Sequence, residues 1–258
     1  MNKTIGLVLP AYNEEATIEQ SFSNIKKGIN LFPQHDFILF PIDDGSTDNT
    51  AREFHRCGKK FRLDYQPFIF SKNIGIAQVL KKDLSVLAFG WTNLDYILKT
   101  DLDSDFDQSL VLKKLLPYVE NDVPIVAGVR WREISPEENA YEVERRDDIL
   151  GVLERELGIT ELDPPSAGSQ LWERNHLANL LVQPQVVDYK KRWGFELLLD
   201  LVSSKLGSPA PVVKIENGQY DPARRPAEKV RAQYDTYLEI IGELVGKKPE
   251  ELSNFYKK

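Results

Sequence analysis

Three carboxylates occupy every second position of Asp101-Leu102-Asp103-Ser104-Asp105, just after the apolar run Tyr96-Ile97-Leu98. That run reads as a buried strand, so the acids lie where a strand leaves its sheet. Clustered anions repel one another unless positive charge joins them. Alternate carboxylates are hard oxygen ligands, suited to a divalent cation that also takes oxygens from a phosphorylated ligand. A helix-loop-helix calcium site would need Gly at the sixth position and Glu at the twelfth. Counted from Asp101, the chain has Phe106 and Leu112 there.

Two earlier strand candidates end in the same manner. Ile5-Gly6-Leu7-Val8-Leu9 leads into Pro10-Ala11-Tyr12-Asn13-Glu14-Glu15, and Phe37 to Ile42 leads into Asp43-Asp44-Gly45-Ser46-Thr47-Asp48. Ser46 or Thr47 can cap a following helix and Gly45 can serve a turn. Those local roles leave the adjacent aspartates unexplained.

The elements that must position these residues alternate. Helical patterns span residues 17–31, 48–57, 75–89 and 110–119, between strand-like runs at 5–9, 37–42, 96–98 and 124–129. Such alternation predicts a mostly parallel sheet with helices on both faces, and ligands then bind beyond the carboxyl ends of the strands. Pro41 lacks a ladder donor and predicts a place near an edge or a bulge. Beyond residue 133 the pattern is less regular. It predicts an amphipathic helix through Ile149, Val152, Leu153 and Leu157, a helix over 195–206, a strand over 212–215 and a long helix over 227–245. A flexible tail is expected after Gly246.

With 258 residues and a net charge of −7, the chain can bury a large core and offers no general surface for nucleic acid or anionic lipid. Its one cysteine, Cys57, excludes an intrachain disulfide and fits a reducing cytoplasm. His35, His55 and His176 lack zinc-ligand spacing, and no apolar run reaches the roughly 20 residues of a membrane span.

Four linked motifs carry a resemblance. Val8 to Glu15, Asp43 to Asp48, Asn73-Ile74-Gly75 and Asp101-Leu102-Asp103 resemble, in order and spacing, the family-2 glycosyltransferases of the GT-A fold. Gly128-Val129-Arg130-Trp131, Asp163 through Gly168 and Trp193 to Leu197 further resemble elements of dolichyl-phosphate mannose synthase-like members. The resemblance implies a GT-A domain over residues 1–220 and a helical extension over 221–258 packed on it.

It also implies roles. Pro10, Tyr12 and Glu14 would line the nucleoside pocket with Ile42 beside the base, and Asp44 would accept from a ring N–H. Asp101 would reach donor hydroxyls, with Leu102 in the same pocket. Asp103 would bind Mg²⁺ or Mn²⁺, joined by Asp101 and Asp105 as oxygen ligands. Arg130 would offset phosphate charge. An Arg and a Lys six residues apart close the pattern in that branch and would bind the donor; here Lys229 has Ala223 at that distance and Arg224 one place off, so Arg224 either serves the motif from a shifted register or lies on an exposed basic turn.

The implied reaction is inverting transfer of a sugar from a UDP- or GDP-linked donor. A hydroxyl acceptor needs a general base, for which Glu196 is the candidate, whereas a polyprenyl-phosphate acceptor needs none. Glu196 placed early in a helix also complements its dipole. Nucleotidyl transfer would call for a glycine-rich loop where Pro10 to Asn13 stand. A degenerate domain that only binds nucleotide or a protein would be expected to have lost Asp101 or Asp103. The stripe Val230, Tyr234, Tyr237, Leu238, Ile241 and Leu244 either packs on the domain or lies on a membrane surface, which leaves peripheral contact at the inner membrane face open.

Overall fold

The computed structural model describes residues 2–102, 107–130, 136–160, 168–215 and 227–253. In chain order the elements are β1 (Thr4–Ala11), α1 (Ile18–Ile29), β2 (Asp36–Asp43), α2 (Thr50–Phe61), β3 (Phe68–Ile69), α3 (Ile76–Gly90), β4 (Tyr96–Thr100) and α4 (Gln108–Leu115). A 3-10 turn, Leu116–Asn121, leads to β5 (Ile125–Arg130) and α5 (Pro136–Leu157). Then come β6 (Ser169–Glu173), α6 (Arg174–Leu181), α7 (Pro184–Val187), α8 (Phe195–Lys205), β7 (Val212–Ile215), α9 (Ala227–Val245) and α10 (Pro249–Leu252).

Among the described residues the strands form one sheet in the order β3-β2-β1-β4-β6-β5-β7. All pairs are parallel except those of β6, which runs antiparallel between β4 and β5. The mixed α/β sheet is as predicted; β6 was not. Ser169-Gln170-Leu171-Trp172-Glu173 follows a turn-rich stretch and alternates too weakly to announce a strand.

Alternation along the strands divides the core in two. Val8, Phe40, Ile42, Ile97, Ala127 and Trp172 point to one face, against residues of α3, α5, α6, α8 and α9. Leu7, Leu9, Leu39, Leu98, Val126 and Leu171 point to the other, against α1, α2 and α4. Pro41 has the parity of Leu39, whose N–H and C=O bond outward to Asp64 and Gln66. Its missing donor therefore faces the outer side of β2, where the ladder breaks before β3 begins.

The apolar stripe of α9 is consumed by packing: Val230, Tyr234, Leu238 and Ile241 have no exposed surface and join the core shared with α5. That removes the amphipathic face on which a membrane contact was considered. The tail expected after Gly246 instead folds in part as α10, with Leu252 and Ser253 buried. Ser253 Oγ donates to Asp148 Oδ2 at 2.5 Å, and Arg155 donates to the Leu252 carbonyl at 2.7 Å.

Candidate active site

The polar segments after β1 and β2 are stitched together. Asn13, at φ +56, donates its N–H to Ser46 Oγ at 2.9 Å and accepts from Thr47 N–H at 2.8 Å. Glu14 N–H donates to Thr50 Oγ1, and Glu15 Oε2 accepts from both the N–H and the side-chain amide of Asn49. Asp43 turns back to accept from Ser46 N–H at 2.8 Å, a turn function rather than a ligand function. Glu14 likewise accepts from the Thr17 hydroxyl at 2.8 Å, at the start of α1.

Asp44 has the opposite parity and points to the α3 side of the sheet. Its two carboxylate oxygens accept the N–H groups of Ile74 and Gly75, at 2.8 and 3.0 Å. Burial pushes this carboxyl above its ordinary range, against the pull of those two bonds and of Arg192. The residue expected at a base edge thus anchors the Asn73-Ile74-Gly75 turn, with further lone pairs left for a ligand.

Of the remaining pocket candidates, Tyr12 is 44% exposed and available to a ligand, while Pro10 is buried. Ile42 and Leu102 have no exposed surface and belong to the two core faces, since on alternating elements their parity turns them inward. Asp103, Asp105 and Arg224 lie outside the described residues. Arg130 ends β5 in register with Ile215 of β7. Lys229 lies 5.8 Å from the Trp193 ring, and Arg192 lies 5.5 Å from it. Arg192 also packs on Gly75, so the stretch before α8 joins the Asp44 turn to Glu196.

The feature that sequence reasoning passed over is Lys99. Ile97, Lys99 and Asp101 share one parity, so the strand that ends in the acids also carries a lysine onto the α8 side. Its side chain is 2% exposed, and its ammonium meets Asp101 Oδ1 at 2.8 Å, Glu196 Oε1 at 3.0 Å and the Gly168 carbonyl at 3.2 Å. Burial alone would pull this ammonium down; Asp101 and Glu196 outweigh it and hold it above its ordinary value. Gln170, opposite Lys99 across the β4–β6 ladder, reaches the same helix. It donates to the Glu196 carbonyl at 3.3 Å and to Asp200 Oδ2 at 2.6 Å. Asp200, one turn beyond Glu196, is held well above its ordinary value by burial and by the Glu196 charge, against the pull of the Gln170 bond. A lysine two residues before the acids, in an otherwise apolar strand, was the available signal.

Glu196 is the second residue of α8, whose N-cap is Gly194, which takes φ +79 and where a Cβ would lie 2.7 Å from the Ile240 side chain. Its side chain is 14% exposed and that of Asp101 31%, so both can reach a ligand. Asp101 is a hard oxygen donor and fits a divalent cation in its chemistry. Elsewhere among the described residues, Glu19, Glu53 and Cys57 bring ligand atoms together, but Arg56 and Lys60 already neutralise the two acids. No helix among the described residues is long and apolar enough to cross a membrane.

Comparison with known proteins agrees with this architecture. The chain is similar in structure to glucosyl-3-phosphoglycerate synthase from Mycobacterium tuberculosis, solved with Mn²⁺, UDP and glucosyl-3-phosphoglycerate. That pair has 20% identity and a TM-score of 0.64, over 95% of this chain and 81% of the other. It is also similar to mannosyl-3-phosphoglycerate synthase from Rubrobacter xylanophilus, at 17% identity and TM-score 0.61, covering 94% and 74%. A mannosyltransferase from Pyrobaculum calidifontis, solved with GDP-Man and Mn²⁺, gives 16% identity and TM-score 0.54 over 94% and 74%. At these identities the likeness establishes the GT-A fold. A search of curated protein sequences gave no match. The family model for Glycosyl transferase family 2 matches residues 7–174, which hold the β1, β2 and β4 tips with Lys99 and Asp101 but not Glu196, and the chain belongs to that family of glycosyltransferases.

Proposed function

We propose that the chain transfers a sugar, with inversion, from a UDP- or GDP-linked donor to an oxygen of its acceptor, with Mg²⁺ or Mn²⁺ as cofactor. The observation that carries this reading is the link from Asp101 through Lys99 to Glu196, which sets a carboxylate for the donor side beside one for the acceptor side. Asp101, with Asp103 and Asp105 beyond it, would hold the cation. When bound, the cation stabilises the charge that collects on the departing diphosphate. Asp44 fixes the turn at Gly75 beside the nucleotide, and Tyr12 offers its exposed ring to the nucleoside. Glu196 takes the proton from an attacking hydroxyl.

The cations near Trp193, three residues before Glu196, favour an acceptor that carries negative charge as well as a hydroxyl. Two of the similar proteins are 3-phosphoglycerate glycosyltransferases by name, which supports a small phosphorylated acid as the first acceptor to test.

The test is calorimetry with UDP and GDP, with and without Mn²⁺, then hydrolysis of UDP-glucose and GDP-mannose with and without 3-phosphoglycerate. The expected result is metal-dependent binding of one nucleotide, turnover of its sugar, and loss of turnover in Asp103→Ala with the fold kept. Metal-independent binding without turnover of any donor would replace this reading with that of a nucleotide-binding module.

A further inference from the structure

We propose that Lys99 is a positioning residue that fixes Glu196 relative to Asp101, so that the acceptor-side carboxylate stands in register with the donor. This rests on the glycosyl-transfer reading above and adds to it a residue and a role.

An ammonium has three N–H donors, and at Lys99 all three are used, on Asp101, Glu196 and the Gly168 carbonyl. With a side chain only 2% exposed, Lys99 has neither a donor nor a surface left for substrate. What it does is tie three separate segments at one point: the end of β4, the residue before β6 and the first turn of α8. β4 is fully buried, with β1 on one side and β6 on the other, so the anchor is rigid. Gln170 supports the arrangement from the neighbouring strand by holding the Glu196 carbonyl. Glu196 thus has its side chain and its backbone gripped from adjacent strands of one sheet.

The charges lead to a specific expectation. One cation serves two carboxylates, so Lys99 also competes with any metal ion for Asp101. Removing the ammonium should make Asp101 a better metal ligand and leave Glu196 out of position. A merely structural lysine would weaken both functions together.

The experiment measures Mn²⁺ affinity in the presence of UDP or GDP, and donor kcat and KM, for wild type, Lys99→Met, Glu196→Gln and the double variant. Far-ultraviolet circular dichroism serves as the check on folding. In Lys99→Met, kcat is expected to fall about 100-fold, the scale of an ångström-sized misplacement. Donor KM should stay within about threefold, and Mn²⁺ should bind about threefold to tenfold tighter as the competing charge disappears. The double variant should lose no more kcat than Glu196→Gln alone, because Lys99 acts through Glu196. If Lys99→Met does not fold, Lys99→Arg keeps the charge while displacing it, and should fold with kcat down about tenfold.

A folded Lys99 variant with wild-type kcat, losses that multiply in the double variant, or Mn²⁺ affinity that falls in step with kcat would each overturn the inference alone. A wild type that binds neither nucleotide with Mn²⁺ overturns the glycosyl-transfer reading, and the inference with it.

Discussion

Asp44, at the tip of β2, holds the N–H of Gly75 at 3.0 Å, and the same carboxylate holds the N–H of Ile74 at 2.8 Å. One buried side chain thereby locks the turn that starts α3 to the end of β2. Two charge-assisted bonds of this kind need two acceptor oxygens. Asn supplies one acceptor and sets an NH₂ against the second N–H. Asp44→Asn should therefore cost about 2–4 kcal/mol in urea unfolding and weaken nucleotide binding with it. A variant that unfolds at the wild-type midpoint would show that this turn holds without its anchor.

That anchor shows how far the sequence could be read. The alternation of strands and helices, the strand-end acids and the cap and turn residues were all legible, because they depend on local period and local chemistry. Asp44 was singled out, but a base edge was expected as its partner rather than the backbone of residues 74 and 75. The bond joins positions thirty residues apart and no local pattern encodes it. Lys99 was hidden for a related reason. Its partners Glu196 and Gly168 lie 97 and 69 residues away, and they become neighbours only because β6 inserts antiparallel beside β4. The burial of Ile42 and Leu102 follows from a strand parity that their proximity in sequence to a ligand motif does not reveal.

Gly45 lies beside that anchor at φ +70, and a Cβ there would stand 2.2 Å from the Lys72 carbonyl carbon. Both the conformation and the backbone contact oppose any side chain, and backbone cannot swing aside as a side-chain tip can. Gly45→Ala should destabilise the protein by about 2–4 kcal/mol in urea unfolding. The damage should centre on the segment around Lys72, seen as faster amide exchange from residues 70–75 than from β4. Uniform exchange across both regions would contradict a local clash.

Asp83, on α3, is buried with Oδ2 unpartnered, and burial pushes its carboxyl up to about 7, with Lys82 opposing and Asp44 reinforcing the rise. The folded state therefore keeps this proton where the unfolded chain, near its ordinary value of 3.8, has released it. With more protons bound in the folded state, stability from this group declines as pH rises from about 4 to about 7 and is level above that. Asp83→Asn removes the decline and keeps the shape. It should match wild type near pH 4 and exceed it by about 1–3 kcal/mol at pH 8 in urea unfolding. A difference that is the same at both pH values would mean that Asp83 is not the titrating group.

Glu196→Gln distinguishes the two acceptor chemistries. Gln keeps the size of the side chain and still offers an oxygen to Lys99, so the ammonium remains partnered. What it loses is the capacity to take a proton. With a hydroxyl acceptor such as 3-phosphoglycerate, kcat should fall about 10²–10⁴-fold, the usual contribution of a positioned base. A phosphate acceptor arrives with its nucleophilic oxygen already deprotonated. The same variant assayed with a polyprenyl phosphate should therefore change far less, with a loss attributable to altered charge beside Lys99 rather than to proton transfer. The ratio of the two losses, measured on one preparation, identifies the acceptor class: a large ratio assigns proton abstraction to Glu196, and equal losses reduce its role to holding Lys99 in place.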